Sequence, residues 1–194
     1  MTRRSCAASW LRRGEVALGV IGLSLLGWAL AATSTRRVYQ ARQDCALTLD
    51  IGMKRGPATT AGTDPLVLGR IEIPRIGVSA IVREGDDDST LAIAVGHISG
   101  TARPGERGNM ALAGHRDSFF RALRDIRLHD AIRIVTVERS FEYVVDSTEV
   151  VGPEDTRVLD PTGDTVLTLV TCHPFTYVGH APNRFIVRAS LVVP

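Results

Sequence analysis

The run 165–171, TVLTLVT, constrains the fold of this chain more than any other stretch. It is built from β-branched residues and leucine, with Thr168 and Thr171 as its polar interruptions, which suits a strand covered on both faces. Pro174 cannot donate to a ladder and biases His173 toward extended backbone. Cys172 is therefore expected as the last strand residue, its sulfur at the rim of a sheet. The chain resumes as a strand at Arg184. In RFIVRASLVV, Phe185, Val187, Ala189, Leu191 and Val193 form an apolar face, while Arg184, Arg188 and Ser190 fall on the other. The segment between, 173–183, has the length of a functional loop rather than of a tight hairpin. A guanidinium opposite a cysteine suits holding a carboxylate or carbonyl oxygen, or stabilising negative charge that develops in a reaction.

A chain of 194 residues that is 44% hydrophobic holds one ordinary domain plus a short extra segment. Its net charge of +2 hides an asymmetry, with nine Lys and Arg against three acidic residues through Arg55, then 14 against 18. The body is thus mildly acidic and has no basic stripe, which argues against nucleic acid as a partner.

Residues 16–32, VALGVIGLSLLGWALAA, form an uncharged apolar run at the short end of the range for a membrane-spanning helix. Arg3, Arg4, Arg12 and Arg13 precede it and Arg36, Arg37 and Arg42 follow. That weak bias leaves residues 1–15 as a basic cytoplasmic segment and exports the body, giving a single-pass protein of the cell membrane with the body outside. The alternative is a cleaved secretory signal, for which Ala29 and Ala31 supply an A-x-A pattern. Residues 33–65 are expected to be a linker or stalk, with GPATTAGTDP as its clearest part. The domain then occupies 66–194. Of the three cysteines, Cys6 lies on the cytoplasmic side, Cys45 in the stalk and Cys172 in the domain, so no internal disulfide framework is expected. Cys172 is either a small buried hydrophobe or a used thiol; a disulfide to Cys45 would bury the rim.

Within the domain, short strands are expected at LVLGRIEI, VSAIVR, NMALAG, AIRIVTV, SFEYVVD, VVG and the cysteine and arginine strands, separated by Gly77, Gly85 with Asp86 to Asp88, and Pro104-Gly105. DSFFRALRDI is the one segment of the domain that looks helical, with Asp117 or Ser118 as N-cap. The fold class is all-β, a barrel or sandwich with minor helix. A nucleophilic cysteine needs a proton-transfer partner. His129 suits a solvated loop, His173 points away from Cys172 if the strand continues, His180 can line a groove, and His97 suits a partly buried site. His115 is the strongest candidate, because it follows the apolar strand GNMALAG and Gly114 permits close approach of neighbouring chain.

The combination of NMALAGHRDSFFRALRDI, TLVTCHPF and APNRFIVRA resembles the sortase family of cysteine transpeptidases, in particular class D, over about residues 68–189. The family pattern TLxTC lands on Thr168, Leu169, Thr171 and Cys172, the histidine of its GHR segment on His115, and the arginine of its terminal strand on Arg184. His97 matches a histidine of a class D-like GH segment. The resemblance implies a closed barrel of about eight strands with short helices. It also implies an enzyme that cleaves an LPxTG-like sorting signal after threonine through a thioacyl-enzyme, passing the protein to an amine acceptor on cell-wall peptide or another protein. Cys172 would be the nucleophile, His115 the acid and base, and Arg184 the oxyanion or backbone holder. Thr171, His97 and His180 are the residues expected to contact substrate. Neither cofactor nor metal is implied; Asp86 to Asp88 suit a solvated turn better than a calcium site.

The stalk lacks an aspartate–aromatic pair of the kind that forms a lid in pilus-polymerising relatives, so an open groove is expected. Three alternatives stand beside this reading. A hydrolytic cysteine protease would use the same dyad. An L,D-transpeptidase expects an S-x-G-C-type segment that TLVTC lacks. A zinc or interaction module would draw on Cys172, His173 and His180, too few ligands at irregular spacing.

Overall fold

The computed structural model describes residues 4–53, 64–177 and 179–192. The chain divides into two compact units, Met1–Val38 and Tyr39–Pro194. The first consists of the early part of helix α1 (Arg4–Met53). Its apolar side chains, among them Leu18, Leu23 and Trp28, are exposed. The stretch Ala17–Leu49 is long and apolar enough to cross a membrane by length and composition.

The second unit is a closed eight-stranded barrel. Its strands are β1 (Val67–Ile73), β2 (Val78–Glu84), β3 (Val95–His97), β4 (Gly108–Ala113), β5 (Ala131–Val135), β6 (Ser140–Val151), β7 (Thr165–His173) and β8 (Asn183–Leu191), in the spatial order β1-β2-β3-β4-β7-β8-β6-β5. β5 pairs back onto β1 and closes the sheet. The β2–β3 and β4–β7 pairs are parallel and the others antiparallel. Alternate residues fill the interior, including Ile71, Val82, Leu112, Ile134, Tyr143, Leu169 and Val187, as the twofold period of a strand requires. β4 and the middle of β7 are buried on both faces, which is why their sequences are continuously apolar instead of alternating.

Four local expectations are corrected. Residues 33–53, read as stalk, are helical, and the part from Tyr39 onward belongs to the barrel unit. Gln40, Gln43, Asp44 and Leu47 recur at helical spacing and meet the barrel as one stripe. Gln40 accepts from Ile81 N (2.8 Å) and donates to Ile93 O (2.7 Å), Gln43 accepts from Asp64 N (3.1 Å), Asp44 pairs with Arg70, and Leu47 is 1% exposed. The turn-rich composition that suggested a stalk sits mainly in 54–63, outside the described residues.

The aspartate run is a second case. Asp87 caps helix α2 (Asp88–Ile93), accepting from the main-chain N–H groups of Ser89 and Thr90, so its carboxylate serves a helix and not a free turn. The segment expected to be helical after His115 is instead a chain of turns with a short 3₁₀ stretch, Arg121–Asp125. It is pulled tight because Ser118 N and Phe120 N both donate to His115 O at 3.2 Å, and because Phe120 and Leu123 are drawn fully into the core. Finally, SFEYVVD and VVG form one strand, β6, and the three-residue β3 went unread.

Candidate active site

Strand register assembles the site. In the antiparallel β7–β8 pair, Cys172 lies directly opposite Arg184. Leu169 and Val187 of the same strands point into the core, so Cys172 and Arg184, an odd number of residues away, share the outer face. β7 continues one residue past Cys172, and His173 takes the opposite face, where its ring stacks near Phe185 and meets Phe175 edge-on at centroid distances of 6.2 and 5.8 Å.

His115 arrives from the neighbouring strand. β4 and β7 run parallel with Ala113 beside Val170, and Gly114 N donates to Val170 O at 3.1 Å. Thr171 Oγ1 donates to Gly114 O at 2.7 Å. Two residues beyond the end of β4, His115 thus emerges at the level of Cys172. A side chain at Gly114 would set its Cβ 2.7 Å from the Phe120 ring, so glycine is needed there for the turn after β4 to fold back. Cys172, His115 and Arg184 are half-buried. Arg184 Nη1 donates to Asn183 O (3.1 Å) and Ala181 O (3.3 Å). Neither the His115 ring nor the Cys172 thiol has a hydrogen bond to another described residue.

The outer face beside this trio is walled by another 3₁₀ turn, Thr156–Leu159, in the β6–β7 connection. Thr168 and Arg188, a register pair four residues from Cys172 and Arg184, hold it in place with Asn109. Thr168 Oγ1 donates to Asn109 Oδ1 (2.6 Å), Asn109 Nδ2 to Val158 O (2.9 Å) and Asp160 O (3.2 Å), and Arg188 Nη2 to Val158 O (3.2 Å). About 13 Å of strand face therefore separates the wall from Cys172. Asn109 and Arg188 were not singled out from sequence. Their signal was a lone amide in the apolar run NMALA and a second arginine four residues after Arg184, on the same face of the strand.

The residues expected to contact substrate fare differently. Thr171 is buried, its hydroxyl committed to Gly114. His97, 2% exposed, uses both ring nitrogens within the fold: Nδ1 lies 3.1 Å from Glu84 Oε1 and Nε2 2.9 Å from Ala102 O. A direct substrate contact would need exposed groups, so both are placed as supports. His180 is exposed in the loop between β7 and β8. Two surface pockets, of about 530 and 520 Å³, lie around Gly105 and Leu191 at the other end of the barrel. Among the described residues no cluster of three His, Cys, Asp or Glu side chains could hold a metal ion.

Comparison with known proteins bears on the family and the fold. Residues 71–192 match the family model described as the sortase domain. The chain is 36% identical over 125 residues to a protein named Sortase D from Bacillus subtilis, a match covering 64% of this chain and 63% of that protein. It spans less than two thirds of the length of the curated relatives it matches. Among solved structures, a Clostridium perfringens Sortase D5 transpeptidase superposes with a TM-score of 0.65 at 27% identity, covering 82% of this chain and 99% of that one. Sortase C-1 from Actinomyces oris gives a TM-score of 0.61 at 32% identity, covering 66% and 75%. With the family model spanning well over half of the chain, and a closed eight-stranded barrel like those of the solved structures, this protein belongs to the sortase family.

Proposed function

We propose that this protein is a membrane-anchored cysteine transpeptidase that cleaves an LPxTG-like sorting signal after threonine and joins the protein to an amine. The observation that carries the reading is the register of β7 on β8, which sets Cys172 against Arg184 on the outer face, with His115 delivered beside them by β4. The Cys172 thiolate attacks the threonine carbonyl carbon and forms a C–S bond; Arg184 holds the oxygen on which charge develops, or the adjacent substrate backbone. Collapse breaks the C–N bond, and His115 protonates the departing glycine amine. The incoming amine then attacks the thioester and gives its proton to His115, and the new amide releases the thiolate. Water in place of the amine gives hydrolysis. The outer face between Cys172 and the Thr156–Leu159 wall is the groove for the extended peptide, with His180 at its loop side.

The apolar run 16–32 serves as the anchor, with the amino terminus in the cytoplasm and the barrel outside. Exported proteins bearing the signal are one partner, and an amine on cell-wall peptide or another protein is the other.

The test uses full-length protein in detergent, because residues 39–53 pack on the barrel. It is incubated with a panel of LPxTG-like and related peptides and an amine acceptor, and the products are read by mass spectrometry. Cleavage after threonine with the acceptor joined, absent in Cys172→Ala, supports the reading. Cleavage without joining indicates a hydrolase, and activity surviving Cys172→Ala overturns the assignment of the nucleophile.

A further inference from the structure

Arg116 follows His115 directly, yet its guanidinium crosses to the loop that joins β7 to β8. Nη1 donates to Pro174 O at 3.1 Å, and Nη2 donates to Tyr177 O at 2.7 Å and to Gly179 O at 3.0 Å. The guanidinium carbon also lies 5.9 Å from the centroid of the Tyr177 ring. These three carbonyls belong to the stretch that carries the chain from Cys172 to Arg184. The described main-chain bonds between β4 and β7 end at Gly114 N to Val170 O. Beyond that point, the spacing of His115 from Cys172 is set by side chains: Thr171 Oγ1 on Gly114 O, and Arg116.

We propose that Arg116 is a positioning residue, a clamp that fixes the His115 turn against the β7–β8 loop and so holds His115 in register with Cys172. The inference rests on the reading of Cys172 and His115 as the reacting pair. Arginine suits the task because a planar fork of N–H donors can engage several carbonyls at once, whereas a lysine ammonium on a flexible stem acts as a point charge. A loop of nine residues, 174–182, between the strands that carry Cys172 and Arg184 has many conformations open to it. Three charge-assisted hydrogen bonds select one of them before substrate arrives.

The test compares wild type, Arg116→Ala and Arg116→Lys as full-length protein in detergent, using an LPETG peptide with triglycine as acceptor and measuring kcat and KM. Hydrogen exchange of the main-chain amides in 175–182 and in the barrel strands is followed in the same samples. Both variants are expected to lose about 10- to 100-fold in kcat, with KM within about threefold of wild type, as for a misaligned reacting pair. Loop exchange is expected to accelerate about tenfold or more while the strands stay protected.

Full rescue by lysine would mean that charge alone matters and would overturn the clamp. So would a rise in KM with kcat unchanged, which marks a peptide contact, or acceleration throughout the strands, which marks a general structural role. Unchanged loop exchange overturns it whether or not LPETG is turned over. Cys172→Ala is run alongside. If that variant is inactive and the Arg116 variants behave as wild type, only the clamp fails; if Cys172→Ala keeps activity, it is the reading of the reacting pair that fails.

Discussion

Two histidines of this barrel, His97 and His115, sit on neighbouring strands of the sheet or just beyond them, in opposite circumstances. His97 is buried among Glu84 from β2 and Thr101 and Ala102 from the loop after β3; both its ring nitrogens are engaged, and Arg103 lies 3.7 Å from the second oxygen of Glu84. His115 stands half-buried past the end of β4, with no hydrogen bond to its ring from any described residue. The same contrast separates Thr168 and Asn109, bonded to each other and to the Thr156–Leu159 wall, from the unbonded Cys172 thiol four residues along the strand. Polar groups that are fully bonded hold the fold, and a reacting group must keep its bonding capacity for substrate. On the proposed reading, the difference puts chemistry at the rim of β4, β7 and β8 and architecture one layer below it.

The largest effects should separate the two classes by activity. Cys172→Ala and His115→Gln are each expected to lower kcat/KM at least about 1000-fold, equivalent to about 4 kcal/mol, while Tm stays within about 2 °C of wild type. A large loss of Tm in Cys172→Ala would instead make that thiol a core residue and break the comparison. Arg184→Ala should cost about 100- to 1000-fold in kcat, the range for removing one donor to a developing oxyanion; unaltered turnover would remove its role.

His97→Leu should behave in the opposite way. It strands the Glu84 carboxylate and the Ala102 carbonyl, and is expected to destabilise by about 2–4 kcal/mol in denaturant melts, with kcat of the folded fraction within a few-fold of wild type. Strong loss of turnover without loss of stability would move His97 into the site. Asn109→Ala removes the amide that ties β4 and Thr168 to the wall, and should cost about 1–3 kcal/mol and raise KM, since the wall flanks the groove. A change in neither would detach the wall from the peptide.

The smallest effect concerns pH and a support far from the rim. Hydrogen bonds from Arg75, aided by the Arg127 N–H and opposed by burial, hold the Asp130 carboxyl below its ordinary value. A carboxyl lowered in the folded state adds stability that is complete above its unfolded value, near 4, and is lost as pH falls through the folded one. Asp130→Asn should therefore melt below wild type at pH 7, and the gap should close on acidification below about pH 4. A gap independent of pH would show that Arg75 contributes through packing alone.

Much of the barrel was legible because strand alternation is a local signal. Phe185, Val187, Ala189 and Leu191 mark one face whatever they pair with, and Pro174 marks the end of a strand, which stops at His173, one residue later than expected. β3 escaped because three residues carry too little periodicity, and residues 117–126 misled because the spacing of Phe119, Leu123 and Ile126 suits a helix while the burial of Phe120 and the bonds to His115 O demand a tighter turn. The docking of Gln40, Gln43 and Leu47 on the barrel was hidden for another reason. Their partners, Ile81, Ile93 and Asp64, lie 21 to 53 residues away, and a stripe on a helix does not say what it faces.

Sequence by itself determined most of the strands, the apolar amino-terminal helix and the chemical candidates Cys172, His115 and Arg184, since these depend on residue type and on spacing within a few positions. Tertiary structure alone decided that β7 lies between β4 and β8, that Cys172 faces Arg184 across one rung, that His97 is spent on Glu84 and Ala102, and that Arg116 reaches three carbonyls of a distant loop. Pairing and register are settled by how all eight strands close around a common core, and no single segment carries that information.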